Sequence, residues 1–90
     1  MLKVRYTSRF KKDYKAIVKR GYNIGLFSKV LDYLMNEKNL PEKHLDHHLS
    51  GFYYGFRECH ILPDWLLIYR IEKDTLTLSL TRTGTHNDVF

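Results

Sequence analysis

Phe52-Tyr53-Tyr54-Gly55-Phe56-Arg57-Glu58-Cys59-His60-Ile61-Leu62-Pro63-Asp64-Trp65-Leu66-Leu67-Ile68-Tyr69-Arg70-Ile71-Glu72-Lys73-Asp74-Thr75-Leu76-Thr77-Leu78-Ser79-Leu80-Thr81 is the stretch whose reading decides the fold. Phe52, Tyr54 and Phe56 alternate with Tyr53, Gly55 and Arg57, which predicts a strand continuing to His60. Pro63-Asp64 marks a turn. Trp65 to Ile71 is a nearly continuous apolar and aromatic run, and Glu72-Lys73-Asp74 reads as a polar hairpin loop. From Thr75 to Thr81, leucines alternate with threonine and serine, the period of a half-buried strand. Three consecutive antiparallel strands follow.

Upstream the periodicity is different. Leu2-Lys3-Val4-Arg5-Tyr6 alternates apolar and charged residues as a strand does, and Thr7 and Ser8 then offer N-cap hydroxyls. Phe10, Tyr14, Ile17 and Val18 recur at helical spacing, with Gly21 ending the helix. A second helix runs through Leu26, Phe27, Val30, Leu31 and Leu34, and Asn36 to Pro41 closes it. Glu42 to Gly51 reads as a polar loop. The expected architecture is α+β: an N-terminal strand, a two-helix hairpin and a three-stranded antiparallel meander, with the helices on one face of the sheet.

Ninety residues allow one domain, 1–90, and leave no room for a nucleotide-cofactor domain. Fifteen Lys and Arg against ten Asp and Glu give a net charge of +5, which favours a polyanionic or acidic partner. An apolar content of 43% supports a packed core and argues against disorder. No apolar run has spanning length and no signal segment is visible, so no membrane role and a cytoplasmic location are expected. The single Cys59 agrees with a reducing compartment and reads as a core residue rather than a nucleophile.

Side chains must therefore supply any chemistry. His47, His60 and His86 recur near Arg57, Arg82 and Asp64, and histidine suits proton transfer near neutral pH. Metal-free RNA cleavage needs a base for the ribose 2′-hydroxyl, an acid for the leaving 5′-oxygen and cations for the phosphorane, and this inventory is sufficient. Each histidine alone is more often a hydrogen-bonded structural or surface residue than a catalytic one. In a meander the end of the first strand and the start of the second are adjacent and the last strand runs back towards the same edge, which can gather His47, His60 and His86 into one concave site. Zinc bound by three imidazoles and Asp64 is an alternative, but wide spacing argues against it, and no metal or other cofactor is expected. Asp64 can bond the backbone in its turn, orient a histidine, or do both. Trp65 precedes apolar residues and reads as core before base platform, whereas the terminal aromatic Phe90 could stack on a base. The lysines from Lys11 to Lys19 form a solvated face that could meet RNA or an acidic protein.

Three segments together carry a family resemblance: Asp46-His47-His48-Leu49-Ser50-Gly51, then Gly55 to Tyr69, then Arg82-Thr83-Gly84-Thr85-His86 with Phe90. They resemble the YafQ branch of the RelE/ParE toxin superfamily. The resemblance implies a RelE-like microbial RNase fold and a toxin of a type II toxin-antitoxin system. Such a toxin cuts messenger RNA in the ribosomal A site without a metal, leaving a 2′,3′-cyclic phosphate. Its partners would be an acidic, partly disordered antitoxin and the 70S ribosome with its message, with operator DNA bound only by the toxin-antitoxin complex. It assigns the catalytic histidines to His47, His60 and His86, the acidic partner to Asp64, the phosphate contact to Arg82, and activity-linked aromatics to Trp65 and Phe90; Arg57 joins the cationic set. The family pattern commonly has proline at the position of His48 and aspartate at that of Glu58, and this chain departs from both. A gyrase-poisoning toxin of the ParE type, or a basic nucleic-acid-binding module without catalysis, are the readings in competition; the histidine set disfavours the first and the lack of a recognition-helix pattern the second.

Overall fold

The structure, a computed structural model, describes residues 1–90. In chain order it comprises β1 (Lys3–Tyr6), α1 (Ser8–Lys19), α2 (Ile24–Met35), β2 (His47–His48), β3 (Arg57–Leu62), β4 (Trp65–Glu72), β5 (Thr77–Gly84) and α3 (His86–Val89). The strands form one sheet in the order β1-β5-β4-β3-β2. β1 runs parallel to β5 and the other neighbours are antiparallel. The α+β architecture and the meander of β3, β4 and β5 agree with the sequence.

Local chemistry sets the helices. The Thr7 hydroxyl accepts from the Phe10 N–H at 3.1 Å and so caps α1, and Asn23 caps α2 through the Gly25 N–H at 3.0 Å. Phe10 and Ile17 of α1 and Phe27, Val30 and Leu34 of α2 turn inward onto Cys59, Ile61, Trp65, Leu67, Tyr69, Leu78 and Leu80 of the sheet. Burial pushes the Cys59 thiol up, as befits an inert core residue.

β4 is buried on both faces. Trp65, Leu67 and Tyr69 belong to the helix-side core, whereas Leu66 and Ile68 form a second cluster with Val89 of α3, flanked by Leu49, Tyr53 and Phe56. Helices thus cover both faces, α1 and α2 one and the short α3 the other, where the sequence pointed to one only. The unpredicted α3 is set by a capping box, in which Thr85 accepts from the Asp88 N–H and Asp88 from the Thr85 N–H. It packs so tightly that a Cβ on Gly84 (φ 149°) would come within 2.8 Å of the Asp88 side chain. Arg20, the C-cap of α1, pairs with the Asp88 carboxylate at 2.7 Å, tying α3 to the helical layer.

Three boundaries move. The aromatic alternation from Phe52 is no strand: residues Gly51–Tyr53 form a single 3-10 turn, Gly55 takes φ 92°, and β3 begins at Arg57. The expected loop before it contains the two-residue β2, paired to Arg57 and Glu58. β5 starts at Thr77 rather than Thr75, since Thr75 and Leu76 donate back to Glu72 and Lys73 and Leu76 takes φ 51° within the hairpin loop.

Two outcomes are expected. The Trp65 indole donates to the Thr83 hydroxyl at 2.9 Å, which donates to the Leu66 carbonyl at 2.7 Å, all buried. Thr83→Val orphans that indole N–H and should cost about 1–3 kcal/mol in denaturant unfolding. The Asp88 carboxyl lies well below the usual range, chiefly through its bond from Arg20 and then the Thr85 N–H. A lowered folded-state value stabilises above the unfolded value and is lost as pH falls through the folded one. Asp88→Asn should therefore lower the melting temperature at neutral pH, and the difference from wild type should shrink as pH falls below about 4.

Candidate active site

The period of the strand sorts the site residues. On β3, Cys59 and Ile61 face the helices, so Glu58 and His60 face the other way, beside Ile68 and Leu66, their partners on β4. β2 adds His47 directly opposite Glu58. Two imidazoles consequently converge on one carboxylate oxygen: Glu58 Oε1 lies 3.3 Å from His60 Nε2 and 3.6 Å from His47 Nε2. Glu58 is only 6% exposed, while His47 is open to solvent.

Backbone carbonyls decide the ring orientations. His47 Nδ1 meets the Leu45 carbonyl at 2.6 Å and His60 Nδ1 the Pro63 carbonyl at 3.1 Å. A carbonyl only accepts, so each Nδ1 carries hydrogen and each Nε2 is the nitrogen that gains or loses a proton. Glu58 joins the candidate set from the structure; its i, i+2 spacing from His60 on a strand was the sequence signal for it.

Arg57 lies on the opposite face of β3. Its Nε and Nη2 donate to Asp46 at 3.3 and 3.1 Å, its Nη1 meets His48 Nε2 at 2.9 Å, and Tyr69 donates its hydroxyl to Asp46 as well. Burial, followed by the bond to Asp46, pushes the Tyr69 phenol up. This network holds the segment 46–48, with Asp46 and His48 toward Arg57 and His47 between them toward Glu58. Arg57 is thereby engaged away from the His47–Glu58–His60 face. Trp65 is fully buried, bonded to Thr83 and edge-on to Tyr22 at 5.1 Å, within the helix-side core.

The C-terminal residues come to the same face as His60. Register pairs Leu62 with Trp65 and Leu66 with Gly84, so the β3–β4 turn and the start of α3 share one end of the sheet. Asp64 Oδ1 accepts from the His86 backbone N–H at 3.2 Å, orienting that residue through its main chain rather than its imidazole. His86 is exposed, with its ring 5.0 Å from that of Phe90, and Phe90 meets Tyr53 edge-on at 5.7 Å. The tail therefore folds back.

Arg82 reaches this face through a bulge. The register passes from Tyr69↔Leu80 to Ile68↔Arg82, leaving Thr81 as the extra residue and turning Arg82 to the side of Ile68. Asp13 of α1 holds it, accepting from Nε at 2.6 Å and Nη2 at 3.3 Å while also accepting the Thr83 N–H at 3.2 Å. The Asp88 carbonyl takes a further bond from Nη2 at 3.0 Å. The Asp13 bond, above all, raises the guanidinium pKa, so Arg82 stays a fixed cation.

One face thus carries His47, His60 and His86, the buried Glu58, the oriented turn at Asp64, the cation Arg82 and the aromatic Phe90. That combination offers proton acceptors and donors beside a positive charge, the requirements of phosphoryl transfer by acid–base catalysis. No group of three or more His, Cys, Asp and Glu side chains is arranged to hold a metal ion.

A family model described as the bacterial toxin of type II toxin-antitoxin system, YafQ, matches residues 2–90. The mRNA interferase toxin YafQ of Escherichia coli K12 is 34% identical over 88 residues, covering 97% of this chain and 94% of that protein. A metal-bound toxin from Helicobacter pylori superposes with a TM-score of 0.95 at 43% identity, covering 100% of both chains. In the E. coli DinJ–YafQ complex, YafQ superposes with a TM-score of 0.90 at 34% identity, covering 100% of this chain and 99% of that one. The chain belongs to the YafQ family of bacterial toxins of type II toxin-antitoxin systems.

Proposed function

We propose that residues 1–90 act as one toxin domain, an mRNA interferase that cleaves RNA by 2′-hydroxyl attack. The observation that carries this reading is the convergence of His47 and His60 on the buried Glu58, on the face that also bears His86 and Arg82. A histidine of the His47–His60 pair takes the 2′-hydroxyl proton on its Nε2. The freed oxygen attacks phosphorus, forming the P–O2′ bond of a 2′,3′-cyclic phosphate. Glu58 stabilises the imidazolium so formed. As the P–O5′ bond breaks, His86 gives its proton to the leaving 5′-oxygen, and Arg82 balances charge on the phosphorane. Asp64 sets His86 through its backbone, and Phe90 stacks on the base beside the cut. No step draws on a metal. Arg57 and Trp65 serve the site indirectly, Arg57 by holding the His47 segment and Trp65 by anchoring β4 to Thr83.

The partner that restrains the activity is an acidic antitoxin, drawn by the net charge of +5. The E. coli relative is found in complex with DinJ, which supports an equivalent neighbour here. The message is cut in the ribosomal A site, in the cytoplasm, and operator DNA is bound only by the toxin-antitoxin pair. No helix is long and apolar enough to cross a membrane.

Cleavage of ribosome-bound message by purified protein that has been stripped of metal with a chelator and dialysed before the assay is the direct test. Wild type should yield 2′,3′-cyclic phosphate and 5′-hydroxyl ends. His86→Ala and Glu58→Gln should each slow the single-turnover rate, His86→Ala by roughly 10²–10⁴-fold. A His47→Ala/His86→Ala double variant cutting at the wild-type rate would falsify the assignment. Loss of cleavage by the stripped protein, restored by adding a transition metal back to it, would instead point to a resident metal.

A further inference from the structure

Phe52 is exposed to 94%, more than any other large apolar residue of the chain. It is not on a loose end. The Tyr54 N–H donates to the Gly51 carbonyl at 3.0 Å, the Phe56 N–H to Tyr53 at 3.0 Å and the Leu49 N–H to Phe56 at 2.9 Å, so three main-chain bonds close the turn that presents it. Inside that turn Tyr53 packs against the second core with Phe56, their rings 6.0 Å apart. The ring of Phe52 is held out by geometry.

It also continues a series that begins at the reacting face. His86 lies 5.0 Å from Phe90, Phe90 lies 5.7 Å from Tyr53, and Tyr53 lies 5.2 Å from Phe52. The last two contacts are edge-on, at 86° and 89°, so Phe52 meets Tyr53 at right angles rather than through a shared stack. A ring with an uncovered face, at the outer end of a series of rings that starts at His86, suits the way proteins hold single-stranded nucleic acid, by stacking a base on an aromatic face. A small apolar ligand would need a concave pocket, which a ring exposed to 94% does not offer.

We infer that Phe52 is a stacking subsite for an unpaired RNA base flanking the cleaved phosphodiester, one step further from the cut than Phe90. The inference rests on the RNA-cleaving reading of the same face. Phe90 and His86 engage the nucleotide at the cut, while Phe52 holds a neighbouring base and so sets how tightly, and with what base preference, a message is gripped. Purines, with the larger π-face, are held better than pyrimidines.

The test separates binding from chemistry by using a short 2′-O-methylated oligoribonucleotide, which lacks the attacking hydroxyl. Stacking of one base is worth about tenfold or more in affinity. Phe52→Ala should therefore bind the oligonucleotide about tenfold more weakly than wild type, with unchanged melting temperature. Phe52→Trp should restore affinity, and its added fluorescence, above that of Trp65, should be quenched by the oligonucleotide. Equal affinity of Phe52→Ala and wild type overturns the inference. So does added indole fluorescence in Phe52→Trp that stays unquenched at saturation, or a Phe52→Ala loss confined to an acidic partner protein. Wild-type cleavage of message is scored separately. Cleavage without a Phe52 effect sinks this subsite alone, and a Phe52 effect without cleavage sinks the catalytic reading alone.

Discussion

Burial of β4 on both faces is the constraint from which the rest of the molecule follows. Leu66 and Ile68 point away from the helical layer, yet each is 1% exposed or less. Leaving either in water would forgo roughly 1.5–3 kcal/mol. Something must cover them, and the chain uses the loop from Leu49 to Phe56 and the short α3. Those covering segments are also the ones that carry Phe52, Tyr53, His86 and Phe90. The candidate site therefore borders the second core, and its side chains are positioned by the same packing that stabilises the sheet.

Electrostatics ties this second layer to the first. α1 sends Asp13 to Arg82 and the Thr83 N–H, and its C-cap Arg20 reaches Asp88, so one helix and its cap grip both the bulged end of β5 and α3. The bulge at Thr81 leaves Arg82 on the site face without placing a charge at a core position. Pairing with Asp13 fixes the guanidinium in place, which is the preorganisation that the proposed contact to a phosphate requires.

Much of the fold was legible because it rests on short-range periodicity. Phe10, Ile17, Val30 and Leu34 repeat at helical spacing and fill the helix-side core. Thr7 marks the start of α1 by a bond to a residue three positions on. The errors fell where local pattern and long-range contact disagree. Phe52, Tyr54 and Phe56 alternate as in a strand, but Gly55 takes a positive φ and the aromatics serve a turn. His47–His48 lacks any strand period of its own and becomes β2 only because Arg57 and Glu58 offer an open edge. Arg57, beside Glu58 in sequence, looked like part of the site; the pleat sends it to the other face.

The sequence alone determined the helical hairpin, the three-stranded meander, the basic charge and the three histidines, all properties of residue type and spacing within a few positions. Only the tertiary structure decided that Glu58 joins His47 and His60, that Asp64 holds His86 by its backbone, and that Arg82 is paired with Asp13. Each of those depends on residues brought together across strands or between α1 and β5, where distance in the chain carries no information about distance in space.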